Sequence, residues 1–168
     1  QEEGRLPQLK QAWLGEGDNE GLICLSGAHY GEVGLNLMNG HEAAAEAAAE
    51  KYAALFPNAF YLELQRLPEK PEWERSVAGS TALARKLNLP VVATHPTQFL
   101  EPDDFLAHEA RVCIAEGWTL ADRKRPREFS PSQYFVGAET MAERFADLPE
   151  ALENTVEIAK RCNIHITL

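Results

Sequence analysis

The chain has 168 residues, 45% hydrophobic and 25% charged, which is the balance of an ordinary globular protein. No apolar run approaches the ~18 residues of a membrane span, so no membrane partner is expected. The formal net charge of −10 repels phosphate, which argues against this segment gripping DNA by itself. The start, Gln1-Glu2-Glu3-Gly4-Arg5, has no apolar core of the signal-peptide kind and no initiating Met, as expected of a fragment.

In chain order, residues 1–20 are polar and weakly patterned, a connecting segment with one turn around Trp13-Leu14. Leu22-Ile23-Cys24-Leu25, stopped by Ser26-Gly27, has the composition of a buried strand. Residues 41–55 are rich in the helix formers Ala and Glu; Glu42, Glu46 and Glu50 share one exposed face, with partial relief from Lys51. Phe60 to Leu64 is a second strand. Pro71 opens a helix that runs to about Leu87, its apolar side set by Trp73, Val77, Ala84 and Leu87. Asn88-Leu89-Pro90 ends it, and Val91 to Thr94 is a third strand. Strand alternating with helix predicts a parallel sheet covered by helices. Its two open edges, an aggregation liability in a complete domain, again suggest a fragment.

Beyond the third strand the pattern changes. Asp103 to Glu116 is a predicted helix with Asp103 as N-cap and Gly117 as its stop. Residues 118–138 form an extended excursion. Asp147-Leu148-Pro149-Glu150 has the form of a capping box for a last helix, and Ile164 to Leu168 alternates like a strand.

Chemistry-bearing residues are scattered. The five histidines, His29, His41, His95, His108 and His165, include no pair within four residues, so no HxH or HExxH arrangement exists. His95 follows the third strand at the end where parallel α/β folds place their sites, but Pro96, Thr97 and Gln98 beside it are poor ligands. His29 lies in a tight strand-to-helix turn without a phosphate-cradling pattern. His108 with Glu109 is expected as a helix-face ion pair or a core-edge histidine, and His41 at a helix start. Glu63 faces opposite to Leu62 and Leu64, toward a barrel interior or polar interface. Cys24, Cys113 and Cys162 form no CxxC pair and are expected as buried free thiols of a reducing compartment. Arg123, Lys124, Arg125 and Arg127 place four cations within five residues: a solvated loop, or a contact with nucleic acid or an acidic partner.

Several blocks, in order, resemble the alpha (polymerase) subunits of bacterial DNA polymerase III. They are Leu22 to Gly27 with Gly31-Glu32-Val33-Gly34; Phe60 to Leu64 with Arg66; Leu89 to Thr94; Phe105 with Ala107 to Arg111; Lys124 to Arg127 with Ser130, Pro131 and Tyr134; and Leu148 to Leu152 with Asn154 to Asn163. The resemblance covers about residues 12–168. It implies the later part of a PHP domain: a partial distorted β/α, TIM-like barrel with parallel strands near 22–26, 60–64 and 89–95 and covering helices, followed by a helical extension. Residues 1–20 would connect, 21–117 would complete the barrel, and 118–168 would lead toward the polymerase palm.

Active PHP members are similar to "SGC" after the first strand here and "TNDxH" after the third, with Cys, Asp and His as metal ligands. This chain has Ala28, Pro96 and Gln98 at those positions, and His95 at the Asn position is at best a remnant. The resemblance therefore implies a degraded metal site with no catalytic, cofactor or metal residue in this segment, and Mg only in the polymerase site of the parent. The implied partners are the rest of the alpha subunit, a proofreading exonuclease subunit docked on the PHP domain, other holoenzyme subunits, and DNA through the full-length protein in a bacterial cytoplasm. In that setting Arg123, Lys124, Arg125 and Arg127 would face nucleic acid or the palm. The alternatives are a PHP phosphoesterase or 3′–5′ exonuclease with non-standard ligands, and a stand-alone α/β binding protein.

Overall fold

The computed structural model describes residues 11–16 and 19–164. The expected strand at 164–168, with His165, falls almost wholly outside them. Three parallel strands, β1 (Cys24–Leu25), β2 (Phe60–Gln65) and β3 (Val91–Thr94), form one sheet in the order β1-β2-β3. Leu25 pairs with Tyr61, and Leu62 to Gln65 pair with Val91 to Thr94. The helices are α1 (Gln11–Glu16), α2 (Glu32–Met38), α3 (Glu42–Leu55), α4 (Glu74–Leu87), α5 (Phe105–Glu116), α6 (Ala138–Arg144) and α7 (Pro149–Arg161). None of these helices is long and apolar enough to cross a membrane. The expected α/β class and parallel sheet are present; among the described residues the sheet is open, not closed into a barrel.

β2 lies between the other two strands and is buried along most of its length, which is why Phe60, Tyr61, Leu62 and Leu64 read as a near-continuous apolar run. The core gathers Phe60, Leu62 and Leu64 with Ala45, Ala48 and Ala49 of α3, Val77, Leu83 and Ala84 of α4, and Val91 and Ala93 of β3. The alanines let α3 approach closely. The Glu stripe of α3 stays outside, but its relief comes from α4: Lys86 Nζ meets Glu46 at 2.6 Å, while Lys51 turns to Glu32 at 2.7 Å.

β1 is shorter than predicted, because its pairing with β2 covers only Cys24 and Leu25, and Leu22 is about half exposed. Two helices give no periodic signal. α2 buries only Val33, Gly34 and Leu37, and its Gly34 has low helix propensity. A side chain at Gly34 would strike the Ala28 carbonyl at 1.9 Å, so the close turn, not propensity, selects this residue. α6 has no buried residue and hence no apolar stripe.

Both expected caps are corrected. A 3-10 turn at Pro102–Asp104 precedes α5, and the reciprocal box joins Glu101 and Asp104 rather than using Asp103. Leu148 is the N-cap of α7 without a side-chain bond, because Asp147 is drawn to Arg66. Of the thiols only Cys113 is buried; Cys24 is half-buried and Cys162, just past α7, is exposed.

The last helices return to the sheet. α7 packs along β3 and α6 against α7. Pro90 gives its carbonyl to Leu62 of β2, so by strand alternation the Val91 carbonyl points the other way. Asn154 Nδ2 donates to it at 2.7 Å, which satisfies part of the β3 edge from α7.

Candidate functional site at the carboxyl edge of the sheet

The parallel strands send their carboxyl ends, and the loops with Ala28 and with His95, Pro96 and Gln98, to one edge. The turn after β1 is forced tight. Gly27 has φ 78 and Ala28, a residue with a side chain, has φ 46, a left-handed conformation that favours glycine. A Cβ at Gly31 would lie 1.7 Å from the Ser26 carbonyl. The Ala28 methyl is buried here and offers no ligand atom.

Glu63 ties the three strand ends together. Its carboxylate accepts the Gly27 N–H at 3.1 Å and the Thr94 hydroxyl at 2.5 Å, and its own N–H donates to Ser26 Oγ at 2.9 Å. Gln65 Nε2 donates to Thr94 Oγ1 at 3.0 Å and to Glu63 at 3.3 Å. The polar interface expected for Glu63 is therefore internal to this sheet.

His95 is held by a guanidinium. Arg144 of α6 donates from Nη1 to His95 Nδ1 at 3.0 Å. That bond leaves the ring proton on Nε2, which is buried with no hydrogen-bond partner. Burial, and then the Arg144 charge, pull the His95 pKa below its ordinary value, against the backbone of Tyr134 and Ser132, which raises it. Pro96 and Gln98 are engaged through their backbones: Gln133 Nε2 donates to the Pro96 carbonyl at 3.0 Å, and the Gln98 N–H to the Gln133 carbonyl at 2.8 Å. Ser130 and Ser132 in turn donate to Glu69 at 3.1 and 2.6 Å. Burial alone would raise the Glu69 carboxyl; the Ser132 hydroxyl, a backbone hydrogen bond, the Ser130 hydroxyl and the Arg144 charge together more than reverse it.

Arg66, just past β2, fastens the α6–α7 connection over this edge. It makes a two-pronged bond to Asp147 at 2.5 and 3.0 Å, donates to the Arg144 carbonyl at 2.8 Å, and pairs with Glu74 at 2.9 Å. Its hydrogen bonds hold the Asp147 carboxyl below the usual carboxylate range. Arg144 carried no signal in the sequence and Asp147 only that of a cap, because their partners His95 and Arg66 lie 49 and 81 residues away. Among the described residues, no three His, Cys, Asp or Glu come together as a metal-holding group.

His29 takes no part in this network. It is buried, stacks on Trp73 with ring centroids 3.6 Å apart, and has no hydrogen-bond partner at either nitrogen. Burial is the main force lowering its pKa below 6.5; Glu72 opposes and Lys70 adds to it. As pH falls below about 6.5 the unfolded chain takes up this proton before the folded one, so the stabilisation is present above that value and lost as pH falls through the folded pKa. His29→Phe should keep the stack and flatten part of the stability loss in urea melts between about pH 7 and 5. An unchanged profile would place the sensitivity at His95 and His108, whose pKa values burial also lowers.

A protein-family model for the PHP domain matches residues 1–67. Over 161 residues, 96% of its length, the chain is 75% identical to the DNA polymerase III subunit alpha of Neisseria meningitidis serogroup A, of which it covers 14%. Nearly the whole chain is thus similar in sequence to one stretch of the DNA polymerase III alpha subunit. The Pseudomonas fluorescens subunit is 51% identical over 160 residues and the Escherichia coli K12 subunit 48% over 162, each again covered to 14%. The chain thus spans about one seventh of these relatives. The PHP match begins within the expected connecting segment and stops at Leu67, so it includes β1 and β2 but not β3.

In this chain the basic cluster does not share one surface. Arg123, Lys124 and Arg127 are exposed, but Arg125 is buried and its guanidinium meets Glu109 at 2.5 Å. Arg125 is therefore a core ion-pair residue rather than part of a contact surface. Glu109 is taken by Arg125, and His108, buried as the core-edge alternative expects, accepts from Arg111 at 3.0 Å.

Proposed function

We propose that this chain is a structural and interaction segment of the catalytic alpha subunit of a bacterial DNA polymerase III, which replicates chromosomal DNA, and that its PHP metal site is inactive. The observation that carries the reading is 75% identity across 96% of the chain to an alpha subunit. The open sheet would be one arc of a distorted PHP barrel closed by strands outside this segment.

The donor chemistry at the carboxyl edge supports the inactive site. A methyl, a proline ring and a carboxamide stand at Ala28, Pro96 and Gln98, and none is a good ligand for a borderline divalent cation. The remaining imidazole, His95, has its Nδ1 lone pair engaged by the Arg144 cation. These residues do not fit the PHP metals. The edge is suited to a scaffold for the polymerase body and for a separate proofreading exonuclease subunit, in a cytoplasmic holoenzyme whose Mg lies in the polymerase site.

The full-length parent protein should extend primers on a DNA template with Mg. It should carry no stoichiometric Zn, Mn or Fe, and His95→Ala should leave its metal content unchanged. Stoichiometric metal lost on His95→Ala would overturn the inactive site; a parent without template-directed synthesis would overturn the polymerase reading. Reversing Arg123, Lys124 and Arg127 together in that protein should weaken DNA binding severalfold at moderate salt, and unchanged binding would leave them as solvated surface.

A further inference from the structure

A cavity of about 240 Å3 opens between the end of α5 and residues 125–129. Trp118 and Phe129 supply aromatic walls, and Glu116 and Glu128 supply carboxylates. The Phe129 ring is steadied by an edge-on contact with His108, centroids 4.6 Å apart. Although Arg125 lies off the surface, it lines this cavity too. Its side chain is 7% exposed, and one guanidinium nitrogen, Nη1, meets Glu109. Its Nε–H is buried without a hydrogen-bond partner. A buried donor left unpaired costs free energy that an acceptor on a bound ligand would recover. Ligand pockets share this make-up, apolar walls with a few placed polar groups. Outside the cavity, the exposed cations Arg123, Lys124 and Arg127 flank its lining residues along the chain.

We propose that this cavity takes an unpaired nucleobase of single-stranded DNA, with Arg123, Lys124 and Arg127 on the flanking phosphates. The proposal rests on the alpha-subunit reading above and gives the DNA a place on this segment. Every base has a flat face that can stack on Trp118 or Phe129. The base edges differ: cytosine and guanine each carry an amine and a carbonyl. The amine would donate to Glu116 or Glu128, and the carbonyl would accept from Arg125 Nε. Thymine has no exocyclic amine and would set a carbonyl against the carboxylates. A basic peptide side chain would meet the Arg125 guanidinium, and a lipid chain would leave Arg125 Nε unpaired. A free nucleotide offers phosphate at one end only, whereas cations on both sides of the lining residues suit a strand. Duplex DNA keeps its bases stacked and could fill the cavity only by extruding one.

The test uses the full-length parent subunit and a short oligodeoxycytidylate carrying one 5-iodocytosine. Ultraviolet cross-linking of the unsubstituted subunit, read by peptide mass analysis, should join that base to Trp118 or Phe129. Trp118→Ala should weaken binding of the oligodeoxycytidylate about tenfold, and Trp118→Phe should recover most of the loss. The same Ala change should alter binding of an abasic strand of equal length less than about twofold, because only its phosphates are left to bind. Oligothymidylate should bind severalfold more weakly than oligodeoxycytidylate. Cross-links confined to other parts of the subunit would overturn the proposal, whatever the folding of the variants. Unchanged affinity in Trp118→Ala, equal binding of the thymidylate strand, or displacement of the strand by equimolar free dCMP would overturn it too. A parent without template-directed synthesis would instead defeat the alpha-subunit reading, so the two failures are distinguishable.

Discussion

Replacing Glu109 with Ala should destabilise the folded chain by about 3–5 kcal/mol, because it strands the Arg125 guanidinium inside the protein. The two side chains are 6% and 7% exposed, and their closest approach is 2.5 Å. Without the carboxylate the desolvation of the cation goes uncompensated. The pair joins the inner side of α5 to the 118–138 excursion, a segment with no helix or strand before Ala138. Loss of the pair should therefore release the excursion first, seen as faster amide exchange around residues 119–130. Replacing both partners with Met should recover much of the loss, since the burial of two charges disappears with the pair. Chemical denaturation of the single and double variants checks this. A single variant within about 0.5 kcal/mol of the parent would mean that Arg125 reaches solvent without Glu109.

The second large effect is expected at Phe145. The ring is 0% exposed, belongs to the main core, and lies 5.1 Å beneath the Arg66 guanidinium. Phe145→Ala should lower stability by about 3–5 kcal/mol through lost transfer energy and the cavity left behind. Arg66 bonds both the Arg144 carbonyl and Asp147, on either side of Phe145. The damage should thus spread to the bond between Arg144 and His95 and to the seating of α7 on β3. Phe145→Leu, which keeps more of the volume, should lose clearly less. Equal losses for Ala and Leu would show that the ring's contact with Arg66, rather than volume, holds the connection.

Local regularity made much of the frame legible. Alternation and apolar runs gave β2 and β3, and Ala/Glu content gave α3. Proline and asparagine set the boundaries of α4: Pro71 opens a 3-10 turn ahead of the helix, and Asn88 takes the left-handed closing position at φ 53. Where the local signal was thin, the reading failed. α2 is held by the turn at Ala28 and Gly34, α6 by Phe145 and Arg144 bonding elsewhere, and the N-cap expected at Asp147 gave way to a stronger ion pair with Arg66.

The basic cluster shows the same division at one site. Four cations in five residues look equivalent along the chain, yet burial separates Arg125 from Arg123, Lys124 and Arg127, because only Arg125 meets a carboxylate on the inner face of α5. The sequence by itself determined the α/β class, the parallel sheet and the absence of side-chain ligand atoms at Ala28 and Pro96, since all of these follow from residue type and short-range pattern. Only the tertiary structure decided that Arg144 holds His95, that Arg66 and Asp147 clasp the tail onto the sheet, and that Arg125 pairs with Glu109 on the inner side of α5. Those contacts join residues up to 81 positions apart, and pairings of that range follow from packing rather than from any periodicity in the chain.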